Sequence, residues 1–353
     1  MSNRVFLFEY YHCCYVTMIR TKFLSRYSTL AVRALVTAGA AERCYTSGRC
    51  LHNHRCFHCA ADIPSASVHH HNVKDVHASC CGFPKHLRNG PSTVLDQGVF
   101  GDDACFIAQF ENTHVVGVAD GVGGWRNYGI DPSEFSSRLM KLCRKIVRKG
   151  DFEPTRPDKL LARAYEALAK PPRPTGSSTA CVLVVYQDTL YSANLGDSGY
   201  LVIRNGKVVY RSREQTHYFN APYQLSLPPA DEVHGSFLGD SPEKAELASL
   251  DLMIGDIIVL ATDGLWDNVT ENEIVKQLKG LKPGDVQAIL GHACYLFQKI
   301  LFQKACNSLA LTARRLAFDA QHLSPFAVKA LRHGIDAPGG KPDDITLILL
   351  LVA

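Results

Sequence analysis

Four short segments of the chain set an aspartate beside a glycine or a second aspartate at the end of a hydrophobic run. They are Gly101-Asp102-Asp103, Val118-Ala119-Asp120-Gly121, Ala261-Thr262-Asp263-Gly264 and Pro342-Asp343-Asp344. Aspartate is depleted inside strands and its short carboxylate suits turns, so these positions read as strand ends. Carboxylates gathered from separate strand ends repel one another unless hard cations sit between them. Mg²⁺ and Mn²⁺ prefer oxygen donors and keep several waters, so a few carboxylates suffice to hold them. Gly121, Gly123 and Gly124 allow close backbone approach, so the Gly121 carbonyl could itself face a cation. The chemistry these residues point to is two-metal hydrolysis.

The elements that must position them follow from hydrophobic periodicity. The runs ACFIAQF (104–110) and HVVGVA (114–119) flank a polar turn and read as a hairpin. A helix follows, capped by Asp131 or Ser133, with Phe135, Leu139, Leu142 and Ile146 on its apolar face and Gly150 as its stop. A second helix is expected over 158–170. Strands are expected at 178–186, 189–195, 199–204 and 207–212, the last two joined by the hairpin turn Asn205-Gly206. Strands at 257–262 and 345–352 bracket helices at 271–279 and roughly 285–320. Hairpin-rich strands with helices grouped between them predict an α+β fold of two antiparallel sheets packed face to face and covered by helices.

Charge and cysteine divide the chain unevenly. Of 353 residues with a net charge of +4, residues 1–100 carry 11 Lys/Arg against 5 Asp/Glu, leaving a slightly acidic body. Such a body does not resemble a nucleic-acid binder, which shows a basic stripe on its folded domain. Eight of 13 cysteines precede residue 100, and the five in the body sit in hydrophobic contexts, as buried reduced thiols do. No uncharged apolar run is long enough for a spanning helix. Residues 18–49 are Arg-rich, acid-poor and amphipathic, so residues 1–49 read as a leader containing a mitochondrial transit peptide. Residues 50–92 read as a disordered linker, in which Cys56-x-x-Cys59 is half of a zinc-ligand spacing, and 93–353 as the catalytic domain.

Taken in order, GDDACF (101–106), VADGVGGW (118–125), TGSSTACVLVV (175–185), ANLGDSGYLV (193–202), ATDGLWDNV (261–269) and GGKPDDITLIL (339–349) resemble the metal-dependent protein serine/threonine phosphatases, the PPM or protein phosphatase 2C family. DGVGGW, REQTHYFNAPYQL (213–225) and LSPFA (323–327) are most similar to its mitochondrial T-cell-activation-type branch. The resemblance implies a four-layer α-β-β-α sandwich with a binuclear Mn²⁺ or Mg²⁺ site at one end of the sheets. It implies that Asp120 bridges both metals and that the Gly121 oxygen binds one. Asp263 and Asp343 would complete the other metal's sphere. Asp102 and Asp103 match an acidic pair acting through metal-bound water, and Asp197 an acid associated with a weaker third ion. Asp344, Asp240 and Asp267 fit supporting or capping roles. The reaction implied is attack of metal-activated water on a phosphoserine or phosphothreonine, without a phosphoenzyme.

The match departs from the family at two places. Val122 stands where many members carry a histidine general acid, so another acid or a metal-bound water must donate that proton, with His217 and His234 to be considered. Gly98 stands where many relatives place a phosphate-binding arginine, and Arg126 is the candidate substitute. Segment 286–310 is longer than the pattern requires and reads as extra helix. The expected function is a protein phosphatase of the mitochondrial matrix acting on phosphoproteins, with mitochondrial membrane-associated proteins as further partners. The competing readings are a regulatory pseudophosphatase that binds without turnover and a phosphatase of small molecules. Retention of Asp120, Asp263 and Asp343 favours the protein phosphatase over the pseudophosphatase.

Overall fold

Both faces of the central strands are apolar, which demands cover on both sides and dictates a layered molecule. The computed structural model describes residues 75–86, 98–229, 237–281 and 292–353. The leader, the Cys56-x-x-Cys59 pair and His234 lie outside the described residues.

The first strands are β1 (Val76–Phe83), β2 (Val99–Phe100), β3 (Asp103–Phe110) and β4 (Thr113–Asp120). Helices α1 (Pro132–Arg148) and α2 (Pro157–Leu168) follow. The chain then runs through β5 (Gly176–Ser178), β6 (Ala180–Tyr186), β7 (Thr189–Leu195), β8 (Gly199–Arg204) and β9 (Lys207–Arg211). Short strands β10 (Thr216–Tyr218), β11 (Ala221–Pro222) and β12 (Leu225–Leu227) lead to β13 (Glu246–Asp251) and β14 (Ile257–Ala261). Helices α3 (Asp263–Trp266), α4 (Glu271–Leu278), α5 (His292–Ala317) and α6 (Pro325–Arg332) precede the final strand β15 (Ile345–Val352).

One sheet has the order β13-β7-β6-β4-β3-β2 and the other β1-β15-β14-β8-β9, every pair antiparallel. Period-2 alternation sorts each strand's residues between cores. On β6, Val182 and Val184 meet α1 and α2, whereas Cys181, Leu183 and Val185 enter the layer between the sheets. On β15, Leu347 and Leu349 face α4 and α5, whereas Ile348 and Leu350 face the other sheet. The result is the expected helix–sheet–sheet–helix sandwich. Helix α1 is capped by Asp131, whose carboxylate accepts from Ser133 N, with Pro132 at the first helical position. Asn205 and Gly206 both adopt positive φ, 53° and 73°, as a tight hairpin turn requires. Cys105, Cys143, Cys181 and Cys306 are buried and unbridged.

The linker expectation for 50–92 is corrected at its C-terminal end. Residues 76–83 form β1, paired along all eight positions with β15, from Val76 opposite Val352 to Phe83 opposite Ile345. The alternation is hard to see in VHASCCGF because small and polar residues occupy a strand at the sheet edge. Val76 and Ser79 are nonetheless buried, and the Cys306 thiol on α5 donates to the Ser79 carbonyl. A chain starting at residue 75 is expected to fold. One starting at residue 93 exposes the edge of β15 and should melt at least ~10 °C lower, about 3 kcal/mol for a domain of this size. Thermal unfolding of the two truncations checks this, and equal midpoints would contradict it.

Candidate functional site

The antiparallel register places Asp103 at the start of β3 directly opposite Asp120 at the end of β4. On the facing sheet, β14 ends at Ala261 and β15 begins at Ile345, so Asp263 and Asp343 emerge at the same end of the sandwich. Asp197 lies in the turn between β7 and β8. The charges that bear on Asp120 are those of Asp263, Asp103, Asp343 and Asp197, which brings together five of the predicted aspartates.

Hydroxyls and backbone amides hold these strand ends in place. Thr262 Oγ1 donates to Asp103 Oδ2 at 2.7 Å and accepts from Thr346 N at 3.1 Å, joining the two sheets beneath the carboxylates. Thr179 Oγ1 accepts from Asp120 N at 3.1 Å and pairs with Ser198 Oγ at 2.8 Å. Asp344 does not join the cluster directly. It accepts from Lys85 N at 2.5 Å and Asp102 N at 2.7 Å, fastening the exit of β1 and the β2–β3 turn to the start of β15. Gly264 must be glycine, because a Cβ there would lie 1.9 Å from the Asp344 carbonyl oxygen. Gly121 N donates to the Asp102 carbonyl at 3.1 Å, and Trp125 Nε1 donates to Ser177 Oγ at 2.6 Å, fixing the glycine-rich loop.

The electrostatics follow from the crowding. Burial, then the charges of Asp263, Asp103, Asp343 and Asp197, push the Asp120 carboxyl well above the ordinary range. Burial and Asp344 do the same to Asp103, although the Thr262 hydrogen bond opposes them. Burial and Asp263 raise Asp343 to about 7. Asp263 behaves differently: burial raises its pKa, but the charge and hydrogen bond of Lys341, together with a hydrogen bond to Asp120 and the charge of Lys329, hold the carboxylate below the usual value. Lys341 Nζ contacts Asp263 and also lies 2.8 Å from Asp267 Oδ2 and 3.4 Å from Asp343 Oδ2. No motif in the sequence singles out this residue; its signal is a single lysine held between Gly340 and Pro342, two positions before Asp343.

Among the described residues, no three His, Cys, Asp or Glu side chains form a ready-made closed metal shell. The donor set still suits a hard divalent ion. It consists of carboxylate oxygens, Asp197 Oδ1 is buried without a hydrogen-bond partner, and an ammonium group already lies between Asp263 and Asp343.

The departure at Gly98 has a structural explanation. Gly98 has φ of +70°, and a Cβ there would sit 2.7 Å from the Cys105 carbonyl, so an arginine would be strained and would clash. Arg126 is instead held by Asp102, its Nε donating to Oδ2 at 3.2 Å and its Nη2 to Oδ1. The arginine side chain is 60% exposed, so its remaining N–H donors face outward. Val122 N donates to the Ser177 carbonyl at 3.0 Å. His217 is engaged elsewhere, 2.9 Å from Asp240 Oδ2 and stacked on Tyr223 at 4.4 Å.

Because the carboxyl of Asp120 is raised in the folded state, its metal-free contribution is destabilising and grows as pH rises above about 4. Asp120→Asn is therefore expected to raise the melting temperature in excess chelator, by more at pH 8 than at pH 5. A melting temperature that is unchanged or lower across that range would contradict the assigned crowding.

The chain matches no protein-family model. It is similar to the protein phosphatase PTC7 homologs of Xenopus laevis and Homo sapiens, each 47% identical over 277 residues. These alignments cover 77% of this chain and 88% and 86% of those proteins, respectively. The PTC7 homolog fig of Drosophila grimshawi is 44% identical over 281 residues, covering 77% of this chain and 87% of its own. Among solved structures, the photosystem II phosphatase PBCP superposes with a TM-score of 0.62 at 28% identity, covering 79% of this chain and 99% of that one. The serine/threonine phosphatase Stp1 of Staphylococcus aureus shares the fold, with a TM-score of 0.50 at 16% identity and coverage of 79% and 96%.

Proposed function

The chain belongs to the protein phosphatase 2C family of metal-dependent protein serine/threonine phosphatases, in its PTC7 branch, and from that premise we propose how its residues perform the hydrolysis. The observation that carries the reading is the convergence of Asp103, Asp197, Asp263 and Asp343 on Asp120 at one end of the two sheets. In this reading Asp120, the Gly121 carbonyl, Asp263 and Asp343 would hold two Mn²⁺ or Mg²⁺ ions, with Asp102 and Asp103 acting through water and Asp197 a candidate for a weaker third ion. Such ions would supply neutralisation of phosphoryl charge and activation of a water nucleophile.

The chain's own residues do the rest. Thr262 and Thr179 hold Asp103 and Asp120 in register through their hydroxyls, so the carboxylates meet the substrate preorganised. Asp102 orients the Arg126 guanidinium through two of its N–H groups, leaving others to bind the phosphate of a phosphoserine or phosphothreonine. The basic leader supports delivery to mitochondria, with the matrix as the destination and phosphoproteins there as substrates. Mitochondrial membrane-associated proteins are further partners in this reading. The catalytic domain in this reading begins near residue 75 rather than 93, because β1 completes its second sheet.

The full chain should hydrolyse a phosphothreonine peptide with Mn²⁺ or Mg²⁺ and lose that activity in excess chelator. Asp263→Asn should lower kcat by at least ~10²-fold, as loss of one preorganised electrostatic contact does. Activity retained in chelator would sink the two-metal reading. Arg126→Ala should act mainly on KM, raising it about tenfold, the effect of one charge-assisted contact to phosphate; an unchanged KM removes the arginine from the site. Residues 1–60 fused to a fluorescent reporter should carry it into mitochondria. Even cytosolic fluorescence would refute the leader assignment.

A further inference from the structure

Lys341 is the cation at the carboxylate cluster whose role the proposed chemistry leaves unassigned. Its main chain is locked on both sides by one buried side chain. Lys341 N donates to Asn268 Oδ1 at 2.8 Å, and Asn268 Nδ2 donates back to the Lys341 carbonyl at 2.9 Å. Asn268 is fully buried and also donates to the Gly264 carbonyl at 3.0 Å, so the anchor belongs to the α3 turn that carries Asp263. From this anchor the lysine stem passes the Phe326 ring, with Nζ 5.3 Å from its centroid, and delivers the ammonium to Asp263, Asp267 and Asp343. The side chain is only 17% exposed. A second lysine nearby is placed differently: Lys329 Nζ lies 2.7 Å from Glu214 Oε1 and 3.4 Å from Asp267 Oδ1.

We infer that Lys341 is a positioning residue, a tethered counter-ion that holds Asp263 and Asp343 together before divalent ions bind and yields them when the ions arrive. The inference rests on the two-metal reading. The geometry supplies both halves of the device. The fixed main chain keeps the ammonium within reach, while the flexible four-carbon stem lets it move without disturbing Asn268. Asp267 is the place to which it withdraws, since the ammonium already contacts that carboxylate at 2.8 Å. An ammonium and a divalent ion compete for the same carboxylate oxygens. The lysine therefore stabilises the metal-free fold and weakens metal binding together. A lysine with only a structural role would do the first and leave the second unchanged.

Lys341→Met in the full chain separates these effects. Thermal unfolding in excess chelator should occur at a lower temperature than for the unsubstituted chain. Calorimetric titration with Mn²⁺ should give a Kd at least tenfold lower, about 1.4 kcal/mol tighter. The gain in melting temperature on saturation with Mn²⁺ should be correspondingly larger. Lys341→Arg, which keeps the charge, should lie nearer the unsubstituted chain on both measures. Lys329→Met, which removes a neighbouring charge that engages Asp267 and Glu214, should change the Mn²⁺ Kd less than threefold. The inference is overturned if Lys341→Met binds Mn²⁺ equally or more weakly, or if Lys329→Met tightens binding as much. It is also overturned if Lys341→Met stays unfolded with and without Mn²⁺. Failure of the unsubstituted chain to bind Mn²⁺ overturns the metal reading itself, and this inference with it.

Discussion

Two like charges 4 Å apart repel by about 4 kcal/mol at an effective dielectric of ~20, and this fold places four aspartates within electrostatic reach of a fifth, Asp120, at the end of a sandwich. That is a large fraction of the stability of an ordinary domain. Much of what surrounds the cluster can be understood as the means by which the fold tolerates it. Asp103 is buried opposite Asp120 and shares a hydrogen bond with Thr262. Asp263 is balanced by the Lys341 ammonium. Asp344 is turned aside to bind two backbone amides. Protons and the lysine are the positive charges that answer the crowding, and the proposed divalent ions would add to them.

The two sheets make the crowding possible because their cores are rigid. The strands bearing Asp103, Asp120, Asp263 and Asp343 are buried on both faces, so neither sheet can splay to relieve the repulsion without exposing apolar surface to water. The edge strand β1 contributes at a distance. It zips along β15 and is followed by Lys85, whose amide helps fix Asp344. A mutation on β1 is thus connected to the site through the β1–β15 ladder and the Lys85–Asp344 hydrogen bond, and one on α5 through the side chains of Gln303 and Cys306 that bind the β1 backbone.

The same rigidity accounts for the departure from the wider family pattern at Gly98. The left-handed backbone at Gly98 and the nearby Cys105 carbonyl leave no room for a side chain, so a phosphate-binding arginine must come from another element. Arg126, the proposed substitute, lies in the 3₁₀ turn of residues 123–128, on the opposite side of Asp102 in the chain, and is held there by the Asp102 carboxylate.

Much of this was legible in the chain itself, because the patterns involved are local. Hydrophobic runs bounded by turn residues revealed β3, β4 and β6 to β9, Asn205-Gly206 marked a hairpin, and Asp-Gly and Asp-Asp punctuation marked the strand ends that carry the candidate site. β1 was not legible, since Cys80, Cys81 and Gly82 form an edge strand whose stability comes from its partner rather than from its own hydrophobicity. Lys341 was not legible either. Its main chain is fixed by Asn268, 73 residues away in the chain, and a lysine between glycine and proline looks like part of a turn. By itself the sequence determined the residue types available for chemistry and the period of each element, which are properties of neighbours along the chain. Only the tertiary structure decided which aspartates face one another and which cap backbone amides, and which cation stands among them. Register between strands and packing between sheets set those distances, and electrostatic energy depends on distance.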